Sequence, residues 1–206
     1  GHTSFGHAGE AVLNEIFPGG FRHPEQSLRV VDVLEKEGRG LNLTYEVRDG
    51  ILKHSKGEGA IISRDPQAMP ETREGQIVRV ADVIAYVNHD VDDAIRGGII
   101  SFRELPGDCI EIIGDTHARR IDAMVKDVIE VAEKADGGAI SLSAPFLEAT
   151  VKLRHFLYNE VYFNSRVYAN FVKASKILKE LYYYFLEHEQ EFVKESGGLN
   201  PHQPLE

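Results

Sequence analysis

Val80, Val83, Ile84, Val87 and Val91 recur three or four residues apart. That spacing gathers them on one stripe of an α-helix and would scatter them over both faces of a strand. The same stretch, VADVIAYVNHDVDD, sets Asp82, Tyr86, His89, Asp90 and Asp93 on a different face, also at helical spacing. A central helix over 76–96, apolar on one side and acidic on another, therefore organises the rest of the chain. One turn, about 6 Å of rise, separates Asp82 from Tyr86, and two turns, about 12 Å, separate Asp82 from Asp90. A single metal ion cannot take both aspartates. A small extended ligand can touch all three residues, with a metal and phosphates at the Asp82 end and a hydroxyl near Asp90. The same pattern also describes a plain solvated face. His89-Asp90 resembles a metal pair, but adjacent helical residues diverge by about 100°, so Asp82 is the preferred ligand.

Helical periodicity extends through the chain. A turn in GHTSFGHAGEAVLNEIF leads into a helix with Ala11, Val12, Ile16 and Phe17 on its apolar side. His7 and Glu10, three apart on it, make either a proton-transfer dyad or an ordinary surface pair, and His2 on the preceding turn can join them. Pro18-Gly19-Gly20 ends that helix, and a second, opened by His23-Pro24, runs to the glycines at 38–40. Residues 41–54 read as a helix interrupted near Gly50, with a basic cluster of Arg48, Lys53, His54 and Lys56. Residues 55–74 read as a loop and candidate lid. Further helices are expected in 101–114, over 118–136 with Ile121, Val125, Val128 and Ala132 inward, from an N-cap at Ser143 to Phe163, and over 165–194. The last carries Val167, Phe171, Ala174, Leu178, Leu181 and Phe185 on one stripe, which Tyr182, Tyr183 and Tyr184 widen into core or subunit interface. Period-two segments never cluster, so the predicted class is all-α.

A net charge of -10 over 206 residues argues against a nucleic-acid surface, though a divalent metal and local basic residues can still neutralise a small polyphosphate. The single cysteine, Cys109, excludes an intramolecular disulfide and a Cys-rich zinc site, and fits a reducing cytoplasm. No apolar run reaches the roughly 18 residues of a membrane span, and no signal peptide is expected. Residues 197–206 read as a tail, with Leu205-Glu206 as a tag remnant.

The blocks GHTSFGHAGE, GGFRHPEQSLRVV, GLNLTYEVRDGILKH and VADVIAYVNHDVDD together resemble the bacterial HD-domain deoxynucleoside triphosphate triphosphohydrolases, the dGTPase-like proteins. The likeness is dense to about Gly98 and continues more loosely through RRIDAMVKDVI and LRHFLYNEVY. It implies an all-α, HD-domain-like fold. It also implies cleavage of a dNTP into deoxynucleoside and triphosphate, dependence on a divalent metal (Mg²⁺ or Mn²⁺), and a homo-oligomer. On the residues that match, it assigns metal ligation to Asp82, sugar contact to Tyr86 and Asp90, proton transfer to His7 with Glu10, and phosphate-pocket positions to His2 and His23. The family's first metal histidine and its His-Asp pair lie upstream of the block that opens here. The chain is thus expected to be a fragment, inactive by itself, with an incomplete metal site. On this reading 1–100 is the remaining part of the catalytic domain and 101–196 a C-terminal helical region packed on it. The alternatives are an HD-like nucleotide-sensing or oligomerisation domain without catalysis, and an HD phosphohydrolase acting on a monophosphate or cyclic nucleotide.

Overall fold

The structure, a computed structural model, describes residues 3–55, 61, 63, 65–136, 138 and 140–195. Its helices in chain order are α1 (Gly6–Ile16), α2 (His23–Arg29), α3 (Glu35–Gly38), α4 (Tyr45–Lys53), α5 (Arg73–Arg96), α6 (Gly107–Ile113), α7 (His117–Lys134), α8 (Ala144–Leu157), α9 (Ser165–Glu187) and α10 (Glu189–Glu195). Among the described residues there is no strand, and the fold is all-α as the periodicity predicts. The helices form two compact units. One comprises the segments before Tyr45 and after Tyr168, the other Tyr45–Tyr168.

The Tyr45–Tyr168 unit is built on α5. Its stripe Val80, Val83, Ile84, Val87 and Val91 is buried, and joins Ile113, Met124, Leu153 and Leu157 in one apolar cluster. Each such side chain contributes about 1.5–3 kcal/mol by leaving water. The cluster runs from Ile61 to Val161, so the boundary expected near residue 100 passes through this core. Helix α5 begins at Arg73, three residues before the predicted start. There the Thr72 hydroxyl accepts a hydrogen bond from Gly75 N at 3.1 Å and caps the first turn.

Three sequence expectations in this unit need correction. Helix α4 starts at Tyr45 and runs unbroken through Gly50. A Cβ on Gly50 would stand 3.4 Å from the Gly75 Cα, and one on Gly75 would stand 3.3 Å from the Gly50 Cα and 2.6 Å from the Pro70 Cβ. These glycines allow a close helix–helix approach, a use of glycine that looks like a break in a sequence. On α7 Ile121 and Val128 pack half-buried against the core as expected and Met124 and the Arg120 side chain are fully buried, whereas Val125 is 42% exposed. Finally, the helix expected to reach Phe163 stops being α at Leu157 and continues as a π turn, Tyr158–Tyr162. A π turn inserts an extra residue and re-aims the side chains that follow.

Two buried arginines tie the unit together. The Arg120 guanidinium donates to Asn88 Oδ1 at 2.7 Å and to Asp92 Oδ1 at 3.2 Å, which locks α7 to the polar side of α5. Arg79 donates to the carbonyl of Lys53, the last residue of α4, at 2.8 Å, and to the carbonyls of Ile61 and Ala68 at 3.3 Å each. It thereby satisfies a helix C-terminus left without backbone partners.

In the other unit the predicted second helix is broken into pieces. Helix α2 passes into a π turn, Val30–Leu34, and Lys36 and Glu37 follow in the left-handed region at φ 52° and 61°. Gly40 has φ 66°, and a Cβ there would meet the Asp32 carbonyl oxygen at 2.0 Å, so only glycine fits. The long C-terminal helix ends at Glu187, where the His188 ring stacks on Tyr184 at a centroid distance of 4.2 Å, and α10 restarts one residue later. On α9 the stripe is buried or half-buried at Val167, Phe171, Ala174, Leu178, Tyr182 and Phe185, while Leu181 is exposed with Ile177, Tyr183 and Tyr184.

Candidate functional site

The residues singled out from sequence fall into two groups, one in each unit. In the Tyr45–Tyr168 unit, Asp82, Tyr86 and Asp90 lie along α5, each half-buried at the edge of the apolar stripe. Two further side chains meet them. Arg154, from α8, donates a hydrogen bond to the Tyr86 hydroxyl. Tyr162, at the end of the π turn, donates its hydroxyl to the Asp90 carboxylate. Burial holds the Tyr86 hydroxyl above the ordinary tyrosine range; Asp82 and Asp90 add to the rise and Arg154 opposes it. Tyr162 is raised further, first by burial and then by its hydrogen bond to Asp90 and that carboxylate's charge. Both phenols therefore stay protonated at neutral pH, as donors beside carboxylates. Arg79, one turn before Asp82 and facing its charge, has its guanidinium pKa lowered by burial and partly restored by that carboxylate.

The arrangement suits a polyhydroxylated ligand of moderate length. It offers a carboxylate at one end, a phenol steadied by a guanidinium in the middle, and a second carboxylate and phenol at the other end. Arg154 and Tyr162 were not singled out from the sequence. The signal was there in LRHFLYNEVY, where Arg154, Tyr158 and Tyr162 fall on one helical face, but which element they faced could not be read from spacing.

In the other unit, Glu10 on α1 meets His23 at the start of α2. The carboxylate accepts from the His23 main-chain N–H at 2.7 Å, and the His23 Nδ1 lies 2.9 and 3.0 Å from its two oxygens. The sequence expectation paired Glu10 with His7. The structure gives Glu10 to His23 instead and leaves the His7 side chain exposed, because the turn at 18–22 brings the next helix start over the carboxylate. Burial raises the Glu10 pKa, but the main-chain and ring hydrogen bonds from His23, with the charges of His23 and His7, outweigh it and leave Glu10 below the ordinary glutamate range. His2 lies outside the described residues.

Among the described residues no three His, Cys, Asp or Glu side chains are placed to hold a metal ion together. Asp82 stands as a single carboxylate, and one carboxylate does not by itself make a Mg²⁺ or Mn²⁺ site. Among the described residues the donor set is therefore incomplete for a resident metal.

Known proteins resemble the chain over most of its length. A protein from Desulfatibacillum aliphaticivorans, named deoxyguanosinetriphosphate triphosphohydrolase-like protein, is 49% identical over 195 residues, 94% of this chain and 56% of its own length. One of the same name from Caldanaerobacter subterraneus is 49% identical over 195 residues, 95% of this chain and 54% of its own. A third, from Clostridium perfringens, is 46% identical over 189 residues. Over nearly its whole length the chain is similar to deoxyguanosinetriphosphate triphosphohydrolase-like proteins. It spans about half the length of these curated relatives. A family model described as a phosphohydrolase-associated domain matches residues 140–197. Arg154 and Tyr162 fall inside that region, whereas the α5 residues they touch lie outside it. Among the described residues no helix of this triphosphohydrolase-like chain is long and apolar enough to cross a membrane.

Proposed function

We propose that this chain is part of a metal-dependent dNTP triphosphohydrolase, which converts a dNTP and water into a deoxynucleoside and inorganic triphosphate. The single observation that carries the reading is the convergence of Arg154 and Tyr162 on Tyr86 and Asp90. It builds, on the helix face the sequence points to, a set of donors and acceptors matched to a deoxyribose and its neighbouring phosphate.

In this reading Tyr86 and Asp90 hold the sugar. Tyr86, fixed by Arg154, packs against the ring carbon that carries a hydroxyl in ribonucleotides and so disfavours them. Water attacks the α-phosphorus, the bond from that phosphorus to the 5′ oxygen breaks, and the oxygen takes a proton. His7 with Glu10 is proposed for that proton transfer, and His2 and His23 for contact with the phosphates. Asp82 is assigned as one ligand of a Mg²⁺ or Mn²⁺ ion whose remaining ligands other groups must supply, so the chain by itself is proposed to be inactive. The free buried thiol of Cys109 accords with a cytoplasmic protein, and the net charge of -10 with a small nucleotide as ligand, without nucleic acid or membrane. The exposed Ile177, Leu181, Tyr183 and Tyr184 on α9 favour a homo-oligomer, and with it the second reading, an oligomerisation or nucleotide-sensing domain without catalysis.

The test is chromatography of dGTP products formed by the full-length natural protein that carries this sequence, with Mg²⁺ or Mn²⁺ present. Deoxyguanosine and triphosphate support the first reading. Deoxyguanosine monophosphate, or no product, rejects it.

A further inference from the structure

Helix α5 changes character along the side that faces away from its buried stripe. At the two ends the exposed residues are charged or polar, Arg73 and Glu74 before and His89, Asp93 and Arg96 after. Between them the exposed residues are Ile77, Val78, Ala81 and Ala85, with Ile77 49% and Val78 52% exposed. Ile77, Ala81 and Ala85 lie four apart on one ridge about 12 Å long, and Val78 widens it. The same turns bury Val80, Val83, Ile84 and Val87 on the other side. From Ile77 to Val87 the only charged residues are Arg79, which is buried, and Asp82, which is half-buried.

A helix that is apolar all round is one enclosed by protein on every side. A contiguous apolar patch rimmed by polar residues marks a contact surface, where a lone exposed valine does not. The small Ala81 and Ala85 beside Ile77 leave room for another helix to pack at the usual 8–10 Å between axes. Four side chains over two turns fall far short of the roughly 800 Å² per partner that a stable complex of separate molecules buries. A cover carried on the same polypeptide needs no such area, because attachment gives it a high effective concentration. The relatives that are 49% identical to this chain have the length for one, since the chain spans only 56% and 54% of them.

We propose that the Ile77–Ala85 patch of α5 is an internal docking face, covered in the full-length protein by an apolar helix from the part of the polypeptide outside these residues. The patch borders Asp82, one turn after Val78, so the same helix closes over that carboxylate. The proposal does not depend on dNTP hydrolysis and is tested without it.

The experiment is maleimide labelling of the full-length natural protein, read site by site by mass spectrometry. Cys109 is buried and stays silent while the protein is folded. The thiols introduced by Ile77→Cys and Ala85→Cys should label at least about tenfold more slowly than the one introduced by Lys126→Cys, although all three positions are exposed in this structure. As a second measurement, Ala81→Arg drives a charge into the covered face and should lower the thermal midpoint of the full-length protein by about 4 °C or more. Ala118→Arg, at an exposed position of α7, should leave the midpoint unchanged. Labelling at Ile77→Cys as fast as at Lys126→Cys, or an unmoved midpoint in Ala81→Arg, would overturn the proposal. So would protection that vanishes on dilution to single copies, which would give the face to a second copy of the protein instead.

Discussion

Replacing Tyr162 with phenylalanine removes one hydroxyl from the junction of the π turn with α5. That hydroxyl donates to the Asp90 carboxylate. A hydrogen bond to a charged group contributes about 1.5–3 kcal/mol when well buried. Tyr162 is 41% exposed, and solvent screening brings the expected loss down to about 1 kcal/mol. Urea unfolding at pH 7 measures it, as a lower midpoint at unchanged slope. A double-mutant cycle with Asp90→Ala isolates the pair, and the coupling should again be about 1 kcal/mol. The pH dependence has a definite sign. The Tyr162 pKa in the folded protein lies above its ordinary value of 10.0, so its contribution is fully present below pH 10 and is lost as pH rises towards the folded value. The gap between wild type and Tyr162→Phe should therefore narrow above pH 10. Additive single-variant effects, or a gap that widens with alkalinity, would refute the pairing as the source of the stability.

Two further outcomes can be measured with the same chain. Arg120→Ala leaves Asn88 Oδ1 and Asp92 without their buried donor, and should cost about 3–5 kcal/mol in thermal or urea unfolding; a loss below about 1 kcal/mol would show that the network does not hold α7 to α5. Glu10→Gln should flatten the acid limb of the stability curve. The folded pKa of Glu10 lies below its ordinary 4.5, so its contribution is present above that pH and lost as pH falls through the folded value. Identical acid limbs in variant and wild type would show that the carboxylate near His23 is not held as described.

The stripe of four valines and Ile84 made α5 legible from sequence, since a helix that buries one side repeats at a period no strand can share. The positions of Asp82, Tyr86 and Asp90 along it followed from the same arithmetic. What covers their far side did not. Arg154 reaches Tyr86 from the α-helical part of α8, and Tyr162 reaches Asp90 from the π turn that follows; no residue in YNEVY announces an extra residue in a turn. Gly50 misled for a related reason. Glycine serves both as a helix breaker and as a point of close helix approach, and only the opposing Gly75 tells the two apart. The His7–Glu10 pairing followed local spacing, whereas the carboxylate went to His23 thirteen residues away. A tight turn can bring that partner closer than a helical neighbour, and sequence distance does not reveal it.

The most direct test of the central claim is turnover of dGTP by the full-length protein carrying Asp82→Ala. With Asp82 assigned to the metal end of the α5 face, the account predicts no triphosphate above background while the helical fold is intact by circular dichroism. Undiminished metal-dependent release of triphosphate from that folded variant would contradict it.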